Sequence, residues 1–382
     1  MKKFILKTAA TAAAAALFLT GCSERTVSAE KQAETTGGTD VISSATVNKM
    51  AVQRSDIEKA ADALVSRQKD GQLVLSHKYG QTVIPADPER IVCIKLEDLA
   101  LALGVDLEAC QILEGYYLEE QIRALGIGSI AVDEEANTIN LEQVLSYKPD
   151  LILLRDSFEP SVYEELSKIA PVAPFDLKNT EVSLLAMGKI LGMEEQALLR
   201  LEEYHEKLDA AKEKLSAISD SETAMLRVMK KEVRLYPASS NDMSRFLYAD
   251  LGLTPDPMAE AYDRKESLAI SMELLPELTA DHIFLVAGYG SSGGSSDDEA
   301  KKRLEEMKQD PLWQEISAVK KGNVYEVDSR LWLAHGILAV EKKTEDVLAY
   351  MTEKKTGSAE GRTGLSYFAR KRQTLWEIIN LI

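Results

Sequence analysis

The sequence predicts an α/β protein of two lobes, each a doubly wound sheet with helices on its faces, joined by one long helix. Three observations carry this. From Glu194 to Ile218, the residues Leu198, Leu201, Tyr204, Leu208, Ala211 and Leu215 recur at steps of three and four, opposite charged positions such as Glu202, Glu206, Lys207 and Glu213. About 25 helical residues at 1.5 Å each span roughly 35 Å, more than one small domain needs. On either side, short apolar runs alternate with helical patterns, as parallel strands with crossover helices do. The two sides also share a unit, in which a Glu opens a short helix and an Asp precedes a buried strand. The interval from Glu142 to Asp150 equals that from Glu273 to Asp281, as expected of two degenerate copies.

Taken in order, residues 1–21 read as a secretory signal: Lys2, Lys3 and Lys7, then an alanine-rich apolar centre ending at Leu17, Phe18 and Leu19. Leu19-Thr20-Gly21-Cys22 resembles the bacterial lipobox, which makes Cys22 the expected lipid anchor. Removing the signal takes away three lysines and no acids, so the formal charge moves from −17 to −20. That balance argues against nucleic acid as a partner and against broad adhesion to an anionic bilayer. No later run reaches the roughly 18 apolar residues of a spanning helix. The membrane is therefore expected to hold the protein by lipid, outside the cytoplasm. Residues 22–46, rich in Ser, Thr and Gly, read as a flexible tether. Residues 47–72 carry an extra helical pattern through Met50, Ile57, Ala61, Leu64 and Val65.

The first lobe is expected over 73–193. A hairpin turning at Gly80 leads to strand Ile91–Ile94, then a helix from Leu96 to Leu103 stopped by Gly104. A strand over Ala109–Leu113, the short helix from Leu141, strand Leu151–Leu154, a helix over Ser161–Ile169 and a strand near Val172 complete it. Cys93 and Cys110 sit in the apolar runs as two buried thiols, with a disulfide between neighbouring strands left open. After the linking helix (194–219), the second lobe (220–352) repeats the order. It has strand Ala224–Met229, a hairpin-like Glu232–Tyr236, a helix over Met243–Leu251 ended by Gly252, strand His282–Val286 and strand Tyr325–Val327. The extension 353–382 carries six basic and three acidic residues, with Leu365, Phe368, Leu375, Ile378 and Ile379 at amphipathic spacing.

Ligands of two-lobe α/β proteins bind beyond the carboxyl ends of the strands. In the first lobe that rule selects Lys95 and Glu97, Tyr116 and Tyr117, then Arg155, Asp156 and Ser157. In the second it selects Arg227, Arg234, Tyr236, Ser240 and Arg245, with Tyr289, Arg330, Trp332 and His335 on later loops. Basic groups at strand ends on so acidic a chain predict a locally positive pocket. The four histidines are scattered without zinc spacing, and no nucleophile–base pair or Gly-x-Ser-x-Gly stands out, so no catalytic residue, metal site or cofactor is assigned.

From about Leu73 to Met351 the chain resembles the substrate-binding lipoproteins of bacterial ABC importers for iron–siderophores, cobalamin and haem, the class III periplasmic binding proteins. The carriers are His77-Lys78-Tyr79-Gly80 with Ile84-Pro85, Pro88-Glu89-Arg90-Ile91-Val92, Leu141-Glu142 through Lys148-Pro149-Asp150, Val233-Arg234-Leu235-Tyr236, and Asp310-Pro311-Leu312-Trp313 with Lys321-Gly322-Asn323-Val324-Tyr325. The hairpin entry and Val-Arg-Leu-Tyr lean towards the iron–siderophore branch. The resemblance implies a binding protein, not an enzyme, that captures a ferric siderophore between the lobes and delivers it to an ABC permease dimer with its ATPase. It implies guanidinium and ammonium donors at Lys95, Arg155, Arg227 and Arg234, aromatic walls at Tyr116, Tyr236, Tyr289 and Trp332, and permease docking through Glu142 and Glu273. A single stiff helix spanning the lobes predicts modest closure on binding. Cobalamin or haem as ligand, the latter through His335 or Tyr289, and a secreted enzyme on the same architecture remain the alternatives.

Overall fold

The computed structural model describes residues 44–133, 136–239, 243–262, 267–290 and 295–352. The signal, Cys22, the tether up to residue 43, Ser240 and the extension from 353 lie outside the described residues.

The first lobe is built on five parallel strands. Ile91–Ile94 is central, with Leu107–Gln111 and then Gly128–Ile130 on one side, and Leu151–Arg155 and then Val172–Phe175 on the other. All four residues of Ile91–Ile94 are buried, as in a parallel strand covered on both faces. Strand order reverses between Ile91–Ile94 and Leu151–Arg155, which opens a crevice beyond their carboxyl ends. Helix Glu97–Leu103 stops at Gly104, whose φ of +79° lets its N–H reach the Ala100 and Leu101 carbonyls. Asn140 caps helix Leu141–Ser146 by accepting the Gln143 N–H at 3.1 Å. The second strand lies two residues earlier than its apolar run implies, in register Ile91↔Leu107 with a bulge after it.

The extra helix spans Ser44–Leu64, and Ala61 is fully buried against the first lobe's core. The helical reading fails beyond Leu64. Val65–Arg67 is a strand that pairs antiparallel with Leu73–Leu75 across the turn at Gly71. Only that distant partner decides between helix and strand for a short Val-Ser-Arg stretch. The hairpin Leu73–His77/Gly80–Ile84 completes this small sheet, with His77 opposite Gly80. Cys93 and Cys110 are buried free thiols on adjacent strands.

The linking helix runs Glu194–Leu215, followed by a 3-10 turn at Ser216–Ile218. Its buried face is Ala197, Leu201, Tyr204, Leu208, Ala211 and Leu215. In the second lobe Glu222–Val228, His282–Ala287 and Val324–Val327 are parallel. Val233–Leu235 and Leu268–Ile270 extend the sheet antiparallel on the other side. The expected helix over Met243–Leu251 narrows to a π-helical turn, Phe246–Asp250.

The last described helix, Ile337–Thr352, packs against both the linking helix and Glu97–Leu103 of the first lobe. Glu341 receives Arg200 at 2.8 Å and Lys207 at 3.0 Å from the linking helix. The largest buried cluster accordingly runs from the first sheet, through these helices, to Phe284 and Trp332 under the second. Two smaller clusters fill the far faces of the two sheets. The lobes are thus tied by a shared core as well as by one helix.

Candidate functional site

A cavity of about 130 Å³ lies where the carboxyl ends of the two sheets meet. From the first lobe it is lined by Lys95, Glu97, Asp98, Gln111, Leu113, Tyr116, Arg155 and Leu177; from the second by Gly290, Arg330, Leu333, Ala334 and His335. Lys95 and Arg155 end the two strands that flank the reversal in strand order. Leu177, Ala334 and His335 also line an adjoining cavity of about 260 Å³, reached by Lys178, Arg245 and Lys343.

Lys95 has a left-handed backbone, φ +59°, an uncommon conformation for a side chain of this size that costs on the order of 1 kcal/mol. It turns the Lys95 N–H onto Glu97 Oε1 at 3.0 Å, and Gln111 donates its N–H to the same oxygen at 3.1 Å. The Lys95 ammonium donates to Asn137 Oδ1 at 3.2 Å and lies 5.1 Å from the Phe158 ring centre. Glu97 is buried, and that burial pushes its carboxyl up to about 7 against the two N–H bonds and the Lys95 charge.

Arg155 is half-buried, and its guanidinium makes no hydrogen bond or ion pair among the described residues. Arg330 enters from the opposite lobe on the short helix Ser329–Trp332, whose N-terminus is capped by Asp328. Its guanidinium lies over Gly115, where a Cβ would fall within 1.8 Å of Arg330 Nη1; with φ +69° as well, glycine is needed there. Arg330 likewise has no side-chain hydrogen bond or ion pair among the described residues. His335 is driven down to about 3 by burial and then by the charges of Arg155, Lys343 and Lys178, so it is neutral throughout the physiological range. Lys95, Arg155 and Arg330 thus stand against Glu97 and Asp98 in the lining, a formal excess of one positive charge.

Of the eight ligand-contact residues expected from the sequence, Lys95, Tyr116 and Arg155 line this cavity, and five do not. Trp332 is a correction: it is fully buried, stacks on Phe284 at 4.7 Å and donates Nε1–H to Asp346 at 2.9 Å, so it is core and not wall. Tyr236 is also buried, beside Arg227. Arg227 donates to the Gly288 carbonyl at 2.8 Å and lies 5.2 Å from the Tyr289 ring, holding the loop after His282–Ala287. Arg234, opposite Arg227 in the sheet, is paired with Glu232 at 2.6 Å and reaches Ser267 at 3.3 Å. Tyr289 accepts the Lys230 N–H at 3.2 Å. Glu142 and Glu273 are both exposed in the first turns of short helices. Arg330 and His335 stood among the loop candidates. The cavity floor at Asp98, Gln111 and Leu177 had no signal in the sequence.

Among the described residues no group of three or more His, Cys, Asp or Glu is placed to hold a metal ion, and no helix is long and apolar enough to cross a membrane.

The sequence over residues 115–331, more than half of the chain, matches the periplasmic binding protein family. A putative ABC transporter substrate-binding lipoprotein, YhfQ of Bacillus subtilis, is 26% identical over 282 residues, covering 69% of this chain and 83% of the relative. The iron(3+)-hydroxamate-binding protein YxeB of the same organism is 26% identical over 276 residues, covering 70% and 81%. Among solved structures, Staphylococcus aureus SirA complexed with staphyloferrin B superposes with a TM-score of 0.63 at 26% identity, covering 74% of this chain and 99% of that one.

Proposed function

The chain belongs to the periplasmic binding protein family, and from that premise we propose that it is the extracytoplasmic receptor of an ABC importer, which binds a ferric siderophore in the cleft. The observation that carries this reading is the cationic crevice at the strand-order reversal of a chain with formal charge −17. A six-coordinate ferric chelate presents only oxygens and organic backbone to its receptor. It asks for charge-assisted donors and no metal ligands, and Lys95, Arg155 and Arg330 are such donors. The protein binds and releases without a cofactor of its own, and no step of catalysis is assigned to it. Cys22 carries the lipid that keeps the mature chain at the outer face of the cytoplasmic membrane, next to its permease dimer and ATPase.

The test is calorimetric titration of the purified protein with ferric siderophores and with the same chelators free of iron. Saturable binding that requires iron is expected; absence of binding by every ferric chelate, with cobalamin or haem bound instead, would overturn the reading.

Permease docking is proposed for Glu142 and Glu273. Ion pairs at such an interface set orientation and on-rate more than affinity. The double variant Glu142→Lys with Glu273→Lys should keep the ligand dissociation constant within about twofold while radioiron uptake by cells falls about tenfold or more. Unchanged uptake would remove these two carboxylates from the interface.

A further inference from the structure

We infer that the cleft is selective for ferric complexes of the carboxylate and α-hydroxycarboxylate type: compact, anionic and without aromatic rings. This rests on the ferric-siderophore reading and names the donor chemistry of that same site.

The first support is the pair of guanidiniums. Arg155 and Arg330 come from opposite lobes, line one cavity, and have no hydrogen-bonded or ion-paired acceptor among the described residues. A half-buried arginine without a partner has lost part of its hydration and regained nothing. Its planar fork matches a carboxylate through two parallel N–H···O bonds, a geometry that a lone chelating oxygen does not fill.

Charge around the cavity is the second. The carboxylates nearest the ligand space are already engaged: Glu97 accepts the Lys95 and Gln111 N–H groups, and Asp98 accepts the Leu338 and Ala339 N–H groups. His335 is neutral, and the cations that hold it so, Arg155, Lys343 and Lys178, are gathered around it. With Lys95, Arg155 and Arg330 against Glu97 and Asp98, the smaller cavity keeps a formal excess of one positive charge for the ligand to neutralise. A trihydroxamate already neutralises ferric iron and brings no net charge at its core, so it leaves both forks uncompensated. A hydroxycarboxylate complex brings negative charge and free carboxylate arms.

The third support is the scarcity of rings. Among the described residues Tyr116 and the neutral His335 imidazole are the rings of the smaller cavity. Trp332 and Tyr236, the other expected walls, are buried in the core. A tricatecholate presents three aryl faces that gain from aromatic or aliphatic surfaces, and a cavity of about 130 Å³ in which Leu113, Leu177 and Leu333 alternate with five charged residues is too small to cover all three. The adjoining cavity has Lys178 and Arg245 at its wall beside Glu181, Asp250, Tyr204 and Phe246, and those two cations can take a further carboxylate arm.

The experiment compares three ferric probes on the wild-type protein by calorimetry: ferric dicitrate in excess citrate, a linear ferric trihydroxamate and a ferric tricatecholate, with iron-free citrate as control. Ferric dicitrate is expected to bind at least about tenfold tighter than either of the others, with iron-free citrate far weaker. Arg155→Ala and Arg330→Ala should each weaken ferric dicitrate by about 10- to 150-fold, the loss that goes with a charge-assisted hydrogen bond. Arg155→Lys, which keeps the charge and loses the fork, should lie in between. Thermal unfolding of each variant confirms that it is folded. Tighter binding of the trihydroxamate or tricatecholate, or arginine variants that bind ferric dicitrate like the wild type, would overturn this inference while leaving the siderophore reading intact. Failure of every ferric probe would overturn both.

Discussion

Replacing Asp98 by alanine is expected to lower the unfolding free energy at neutral pH by about 3–5 kcal/mol, because two backbone N–H groups and a hydroxyl lose a buried carboxylate acceptor at once. Asp98 lies in the first lobe on helix Glu97–Leu103 and is 4% exposed. It accepts the Leu338 N–H at 3.0 Å and the Ala339 N–H at 2.8 Å, which are unsatisfied donors at the start of Ile337–Thr352, and the Tyr117 hydroxyl at 2.5 Å. The cap is thus supplied from about 240 residues away in the chain, where most helix caps are local. Gly336 makes the approach possible: its φ is +131°, and a Cβ there would stand 2.1 Å from Asp98 Cγ.

Burial raises the Asp98 carboxyl from 3.8 to about 6, opposed by the Tyr117 hydroxyl and the backbone N–H groups. The fold therefore holds this proton more tightly than the unfolded chain does. The contribution of its titration to stability is fully present below pH 3.8 and is lost as pH rises through about 6. Asp98→Asn, which keeps an acceptor and removes the charge, should lose less than half as much as the alanine variant and flatten that slope. Chemical denaturation of the three proteins at pH 4 and pH 7 decides it. An alanine variant within about 1 kcal/mol of the wild type would show that the capped contact contributes nothing to the fold. The same contact bears on function. With the last helix pinned to the first lobe by Asp98 and to the linking helix by Glu341, closure on binding should be a rotation of a few degrees. Superposed free and bound structures differing by tens of degrees would refute that.

Much of this architecture was legible because it is written in local pattern. Ile91–Ile94 is an unbroken apolar run between a turn and a helix, and it is the central strand. The linking helix shows its buried face at three- and four-residue steps, and five of the six residues so picked are buried. Lys95 and Arg155 were legible in the same way, since a polar residue directly after a buried strand has nowhere to go but the strand's end. Trp332 was not. An aromatic residue one turn beyond a strand looks alike whether it faces ligand or core, and only the placement of Phe284, Phe246 and Asp346 decides it. Arg227 was misjudged for a related reason: an arginine on an apolar strand signals a buried partner, and the partner is the backbone of a loop 61 residues later. Asp98 gave no signal, because an acid in the first turn of a helix has a sufficient local explanation in the helix dipole.

Lys343 shares its helix face with Ala339 and Val347, both fully buried. It is 2% exposed, donates to the Ala334 carbonyl at 2.6 Å and lies 5.5 Å from the Phe246 ring centre. Burial drives its amine from 10.5 to about 7, with the Asp98 charge opposing. Here the sign runs the other way from Asp98. Above pH 10.5 the amine is neutral in both states. As pH falls below 10.5 the unfolded chain gains a proton that the fold refuses, and stability drops by about 1.4 kcal/mol per unit until the fold also takes it near 7. Across that window the loss is on the order of several kcal/mol, comparable to the whole effect of Asp98→Ala. Lys343→Met keeps the length of the side chain and removes the titration. At pH 10 the variant should be about 1 kcal/mol less stable than the wild type, through the lost hydrogen bond to Ala334. At pH 7 the order should reverse, because an apolar chain now fills a space in which the wild type must either stay unprotonated or bury a charge. Denaturation midpoints of both proteins at the two pH values are the measurement. A wild-type-to-variant difference that is the same at pH 7 and pH 10 would mean that Lys343 titrates in the fold as it does in water, and that the cations around His335 are more hydrated than their burial implies.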